Sequence, residues 1–209
     1  MFIPLVDSLR CPRPHAETWL VASIDRAEDR DIVEGVLGCP SCLAEYSIRD
    51  GVVYFNAEAA RSPFLEPDEM EATRLAAAPE LIEGRMTAVL HGDWGAHAQL
   101  VRSMSPAQLI LVNPPDGVVS GDGISIVISD TAPLAQSSAD GVAVDTTASE
   151  AMIASLDAAL ARGRHMLAPV AVPLPPNYVE IARDDDLWVA RLDSKVTVSA
   201  PVMPTRRKT

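Results

Sequence analysis

From Pro67 onward, short apolar runs alternate with amphipathic segments. "MTAVLHG" (86–92), "AQLILVN" (107–113), "ISIVIS" (124–129) and "GVAVD" (141–145) are brief and rich in Val, Ile and Leu, as strands buried on both faces are. "HMLAPVAVPL" (165–174) makes a fifth such run. Between them, "PDEMEATRLAAA" (67–78) has Pro67 near its first position and acids in its first turn, which favours a helix start there. "WGAHAQLVRSM" (94–104) is a second predicted helix. "SEAMIASLDAALARG" (149–163) is the clearest: Ser149 can cap it, Met152, Ile153, Leu156 and Leu160 share one face, and Gly163 can end it. The end, "DLWVARLDSKVTVSAP" (186–201), reads as a hairpin turning at Asp193 and Ser194. Strands alternating with helices predict an α/β fold: a Rossmann-like, mostly parallel sheet closed by a C-terminal antiparallel hairpin.

The first 56 residues differ in character. They hold all three cysteines and finish on a strand-like run, "GVVYFN". The chain therefore divides into a small cysteine-bearing domain (1–56), a linker (57–66), an α/β domain (67–200) and a tail (201–209).

Composition narrows the function classes. Apolar residues make up 48% of the chain and aromatics 4%, so a real core is available and it is built of aliphatic side chains. A formal charge of -12 argues against direct nucleic-acid binding, since phosphate contacts need clustered Lys and Arg. The one basic cluster, Arg206, Arg207 and Lys208, reads as a solvated end. No apolar run approaches the roughly 20 residues of a membrane-spanning helix, so no membrane insertion is expected. "MFIPLVDSLRC" lacks the basic and apolar stretches of an export signal. Cysteines without such a signal point to the reducing cytoplasm and to thiols kept for metal. Three unconnected buried thiols are the plain alternative.

Cys39 and Cys42 form a Cys-x-x-Cys knuckle. "CPRPH" begins similarly at Cys11, but Pro14 stands where a second thiol is expected and His15 follows. Zinc takes four tetrahedral ligands from thiolate and imidazole, and three Cys with one His is a common structural set. Cys11, His15, Cys39 and Cys42 supply that set. A closed shell of four leaves no open catalytic position; a packed remnant without metal is the other outcome of the Pro14 exchange.

"LRCPRPH…GVLGCPSCLAEYSIRDGVVYF" resembles the small zinc-binding proteins that activate transfer-RNA and protein methyltransferases. It is also similar to the zinc-ribbon leader fused ahead of some bacterial methyltransferases. In both, paired Cys-Pro-x-Cys knuckles precede a Y-x-I-x-D-G-[IV] strand, matched here by Tyr46, Ile48, Asp50, Gly51 and Val52. The resemblance covers about the first quarter of the chain and implies structural zinc and a protein partner, such as a methyltransferase or a larger assembly.

The order of elements after Pro67 resembles a class I S-adenosylmethionine-dependent methyltransferase. That resemblance implies a glycine turn after the first strand, an acid at the end of the second and another near the adenine. Gly92, Gly95, Asn113 and Asp130 occupy those places, and they are the cofactor-binding residues if the chain is an active methyltransferase. The departures are several. In "VLHGDWGAH", Asp93 and His97 replace glycines and His91 replaces an acid; Asn113 stands for the ribose-binding carboxylate; "PPDGVVSGDG" has the Pro and Gly of a loop where a helix belongs. Asp130 matches "GDAEELPFPDGSFDVV"-type segments, as does Asp140 before the fourth strand. "NPPD" (113–116) only superficially resembles an amino-methyltransferase motif, since it follows the wrong strand and ends in Asp116. His91, His97 and His165 have no carboxylate spacing that makes a second metal site, and "ARDDDLW" reads as a solvated turn.

The leading expectation is therefore a non-catalytic zinc-binding protein that has lost its cofactor pocket and acts through protein–protein contacts, with S-adenosylmethionine binding doubtful and no catalytic residues. The alternative is an active methyltransferase with an atypical donor site. A third is a small-molecule binder with Asp93, Trp94 and His97 at the mouth of a remodelled crevice.

Overall fold

The computed structural model describes residues 1–77 and 86–193. Its chain order begins with a 3-10 helix (Ile3–Ser8), followed by strands β1 (Val21–Glu28), β2 (Asp31–Gly38), β3 (Glu45–Arg49) and β4 (Val52–Tyr54). Helix α1 (Glu69–Ala77), β5 (Thr87–His91), a 3-10 turn (Gly92–His97) and α2 (Ala98–Met104) follow. The remainder is β6 (Gln108–Val112), β7 (Ile124–Ile128), β8 (Ala139–Ala143), α3 (Glu150–Ala159), β9 (Leu160–Pro169), β10 (Tyr178–Arg183) and β11 (Leu187–Leu192).

Among the described residues eleven strands form one sheet, in the order β1-β2-β3-β4-β7-β6-β5-β8-β9-β11-β10. The centre, from β4 to β9, is parallel; both ends are antiparallel. The expected parallel sheet with a closing hairpin is therefore the centre and one end of this larger sheet. Within its central strands the side chains divide by parity, because successive residues point to opposite faces. Val89, Ile110, Val112 and Val127 join one core with Met152 and Leu156 of α3. Ala88, Leu90, Leu109, Leu111 and Ile126 join the other with Ala72 and Leu75 of α1 and Val101 of α2.

No helix forms between β6 and β7, as the Pro/Gly content of 114–123 predicts. The face it would have covered is filled from far away in sequence. Met1, Leu5 and Leu9 of the N-terminal segment pack in the same core as Ile110 and Val127, the Phe2 amide donates to Ser125 Oγ (3.0 Å), and Leu9 bridges Leu134.

The cysteine-bearing block is joined to the rest through β4, which pairs in parallel with β7 (Val52 opposite Ile126, Tyr54 opposite Ile128). The Tyr46–Val52 motif is a hairpin, not one strand: Asp50 (φ 49°) and Gly51 (φ 74°) make the tight turn between β3 and β4, the backbone that Asp-Gly favours.

Three local expectations shift. The closing hairpin is formed by β10 and β11, and turns at Asp184–Asp186, where Asp184 Oδ1 accepts the amides of Asp186 (2.8 Å) and Leu187 (2.7 Å). "LWVARL" is thus the second arm, held between β9 and β10; the arm expected after Ser194 and the basic tail lie outside the described residues. Ser149 caps α3 through Met152 N (3.1 Å), but the helix stops at Ala159. Gly163 (φ 76°) instead sits in the irregular first half of β9, where the pairing with β8 slips.

Candidate metal centre and strand-end crevice

Two local devices bring the metal ligands together. The knuckle folds back on itself, with the Leu43 amide donating to Cys39 O (2.9 Å) and the Cys39 amide to Ala44 O (2.9 Å). The first loop closes through Cys11 N to Thr18 O (3.2 Å). The ligand atoms of Cys11, His15, Cys39 and Cys42 then all lie within 4.8 Å of one another. Cys11 Sγ is 3.7 Å from Cys42 Sγ, and His15 Nε2 is 3.2 Å from Cys11 Sγ and 3.5 Å from Cys39 Sγ. A tetrahedral zinc with S at about 2.3 Å and N at about 2.0 Å requires about 3.8 Å between sulfurs and about 3.5 Å between sulfur and nitrogen. The four residues fit that ion.

The surroundings suit it as well. His15 Nδ1–H donates to Ala16 O (2.7 Å), which leaves the Nε2 lone pair toward the sulfurs. Burial pushes the Cys39 thiol up, but the amides of Cys42 and Ser41 and the thiols of Cys42 and Cys11 outweigh it and bring it down to about 6, toward the thiolate a metal needs. Tyr46, which is buried, places its hydroxyl 3.2 Å from Cys11 Sγ. Burial and then Cys11 raise that phenol, so it stays protonated and donates to sulfur.

The second candidate region lies at the C-terminal ends of β5, β6 and β7, where open parallel sheets present their ligand crevices. Gly92 takes φ 61° directly after β5, and a Cβ there would overlap the Asp145 carboxylate. Asp145 follows β8 and accepts four hydrogen bonds: from His91 Nδ1–H (2.9 Å), Asp93 N (2.7 Å), Thr147 N (3.0 Å) and Thr147 Oγ1 (2.7 Å). Gly95 allows the 3-10 turn to press on the next loop, for its Cβ would come within 2.6 Å of Pro114 Cβ. Asn113 (φ 51°) is buried, and both ends of its amide are engaged by Ser129: Nδ2 to Ser129 O (2.7 Å) and Oδ1 from Ser129 N (2.9 Å). Asp130, exposed at the end of β7, accepts from Asn56 Nδ2 (2.8 Å). All four sequence-derived crevice residues thus lie around one group of strand ends.

What remains open there is a cavity of about 240 Å3, bordered by His91, Asn113, Ser129, Asp130 and Thr147 and by Ala59–Ser62 from the segment ahead of α1. Arg61 secures that segment, donating to Pro114 O (2.8 Å) and Pro115 O (3.0 Å) with Asp116 3.4 Å away. "NPPD" is accordingly the landing site of Arg61.

Trp94 and His97 are not at a mouth. Trp94 is buried and donates to Val144 O (3.0 Å); His97 Nδ1 accepts the Asp68 amide at the start of α1 (3.0 Å), and burial lowers its pKa. Asp140 lies at the far end of the strands, holding the Thr87 amide (3.0 Å) and Arg164 (3.1 Å). Asp145 and Arg61 are neighbours that sequence reasoning missed, and Tyr46 was named for its motif but not for its contact with Cys11. Of the two missed, only the acid closing "GVAVD" carried a local signal, as a carboxylate at a strand end.

No family model matches the sequence, and no curated protein matches it. Among solved structures, it is similar to a Methanococcus maripaludis protein provisionally described as an S-adenosyl-L-methionine-dependent methyltransferase, at 9% identity and TM-score 0.49, covering 62% of this chain and 86% of that one. A Corynebacterium glutamicum protein aligns at 13% identity and TM-score 0.45, over 64% of this chain and 85% of that one. MycE methyltransferase from the mycinamycin biosynthetic pathway, in complex with Mg, SAH and mycinamycin VI, aligns at 12% identity and TM-score 0.45, over 61% of this chain and 49% of that one. The methyltransferase-like character of the fold rests on the strand order itself, a parallel centre ending in the β11-β10 hairpin.

Proposed function

We propose that this chain is a non-catalytic protein, stabilised by a structural zinc at Cys11, His15, Cys39 and Cys42, that uses a methyltransferase-like sheet as a scaffold for binding another protein. One observation carries the reading: two polar groups at the crevice are already engaged within the protein. The Asp93 amide is taken by Asp145, and the Asn113 side chain by Ser129. The space left, about 240 Å3, is below the roughly 300–1,000 Å3 of ordinary cofactor and drug-sized pockets. A bound zinc would cross-link the two loops and supply no chemistry beyond that, since all four of its positions are filled by protein.

The partner surface in this reading lies beside the knuckle. Trp19, Val21 and Leu43 are 64%, 63% and 81% exposed, an unusual set of apolar side chains around one site. With 29 acids against 17 basic residues, the chain favours a partner carrying net positive charge, such as a methyltransferase or a larger assembly.

A second reading, an active S-adenosylmethionine-dependent methyltransferase with an atypical donor site, draws on the positive φ of Gly92 after β5 and on the exposed carboxylate of Asp130. Calorimetric titration of the zinc-loaded protein with S-adenosylmethionine and S-adenosylhomocysteine separates the two. The scaffold reading expects no heat at millimolar ligand; micromolar binding of either compound overturns it in favour of the enzyme.

A further inference from the structure

Strand β1 is one edge of the sheet, and among the described residues it pairs with β2 alone. The Val21 and Ser23 carbonyls point to β2. The Val21 oxygen lies 3.9 Å from where a Gly38 Cβ would stand, and the Ser23 oxygen would overlap one on Gly35. Backbone polar groups alternate sides along such a strand, so the amides and carbonyls of Ala22 and Ile24 face outward. No described residue bonds them. The two halves of β1 also differ. Past Ile24 the pairing slips at Arg26, which bridges Glu28 and Glu34, and a bulge bearing charges is how a natural edge refuses a further strand. From Val21 to Ile24 the strand is in register and uncharged.

The surface beside this open half carries anchors set in place beforehand. Exposure alternates along Trp19, Leu20 and Val21 (64%, 4% and 63%), so Trp19 and Val21 share the outer face. The Arg10 guanidinium stacks on the indole at 4.6 Å. Arg10 is itself held by Glu17 and by the carbonyls of Asp7 and Leu9, each at 2.8 Å, so Trp19 is oriented before anything binds. Leu43 takes φ 57°, a backbone that disfavours leucine, and there its side chain is left in solvent. Between Val21 and Leu43 runs a groove of about 430 Å3 floored by Gly38. Glu45 borders it and Asp25 follows Ile24, and neither has a cation partner among the described residues. Residues 21–45 hold six acids and two arginines.

We propose that the open half of β1 captures an extended, basic segment of the partner protein as an added strand. Its backbone bonds Ala22 and Ile24, its apolar side chains pack on Trp19 and Val21, and its Lys or Arg meets Asp25 and Glu45. A second copy of this chain is the wrong occupant, because pairing β1 with itself brings two net-negative hairpins together. The proposal rests on the scaffold reading and names how its partner is held.

Trp94 and Trp188 are buried, so Trp19 is the exposed indole of the three. An end-blocked peptide of about eight residues alternating lysine and valine, the length of an ordinary strand, is added to the zinc-loaded full chain. It is expected to shield Trp19 from acrylamide and to slow amide exchange at Ala22 and Ile24. The glutamate–valine peptide should bind at least about tenfold more weakly, the worth of one charge-assisted hydrogen bond. Ala22→Pro removes an outward amide that no described strand uses, so it should keep the wild-type urea midpoint and abolish binding. Should that variant fail to fold, Asp25→Asn leaves the backbone alone and should weaken the lysine peptide about tenfold. Equal binding of the two peptides, no shielding of Trp19 by either, or binding retained in Ala22→Pro overturns the proposal. So does a dimer in sedimentation that Ala22→Pro dissociates, since a second copy then fills the edge. Heat from S-adenosylmethionine in the calorimeter would instead overturn the scaffold reading, so the two failures are distinct.

Discussion

Asp145 is the position at which a single substitution reports most on the crevice. Its carboxylate is 5% exposed and accepts four hydrogen bonds, one from the His91 ring, one from the Asp93 amide and two from Thr147. Each hydrogen bond to a charged group is worth about 1.5–3 kcal/mol, but bonds to one acceptor do not add. Removing one partner of a buried pair costs about 3–5 kcal/mol, because the groups left behind are desolvated and unpaired. Asp145→Ala is therefore expected to lose about 3–5 kcal/mol in urea unfolding. For a chain of this length that is a fall in Tm of about 6–20 °C. Asp145→Asn preserves the shape and one acceptor oxygen, and should lose about 1–3 kcal/mol. The pH profile supplies an independent check. Burial pushes this carboxyl up, but the bonds from His91, Thr147 and the Asp93 amide outweigh it and hold the group below its ordinary 3.8. A depressed carboxyl contributes its stability in full above the unfolded value and loses it as pH falls through the folded one. The wild-type protein should thus be destabilised relative to Asp145→Asn as pH drops below 3.8. A loss under about 1 kcal/mol for Asp145→Ala at pH 7, within the range of ordinary surface substitutions and their neighbours, would refute the idea that this carboxylate organises the strand ends.

Two further outcomes follow from the geometry of the sites. Tyr46→Phe removes the hydroxyl that donates to Cys11 Sγ and nothing else; the wild-type chain should hold one zinc, and the variant should release it to a chromogenic chelator about 10–100-fold more readily, as loss of an outer-shell partner does. Gly95→Ala puts a methyl group 2.6 Å from Pro114 Cβ and 3.2 Å from its Cα, a rigid neighbour, so it should cost about 1–3 kcal/mol by overpacking in the same urea assay, whereas an Ala accepted without loss would mean that the turn does not press on that loop.

Much of the molecule was legible from the chain alone, where a property is local. Short, largely apolar runs marked β5, β6 and β7, since a strand covered on both faces has few polar positions to alternate with. Ser149 announced the start of α3, and the Cys-x-x-Cys spacing with Cys11 and His15 a four-ligand cluster, because capping and ligand reach are decided within a few residues. The Pro and Gly of 114–123 likewise foretold the missing helix. The closing hairpin was placed one arm too late because "LWVARL" alternates equally well as either arm, and only its neighbours β9 and β10 settle which one it is.

Tertiary structure decided what no window of sequence contains. The joining of β4 to β7 merges the cysteine-bearing block with the α/β sheet through backbone bonds whose partners lie more than 70 residues apart. Met1, Leu5 and Leu9 cover the face that the absent helix leaves bare, a role set by free apolar area and not by any pattern in their own segment. Asp145 reaches the Gly92 turn and Arg61 holds the Pro114–Pro115 loop only because the sheet order sets those segments side by side. Short-range rules of period, dihedral and ligand reach act along the chain, so the chain states them. Contacts across the sheet depend on which strands become neighbours, and that is fixed by the packing of the whole molecule.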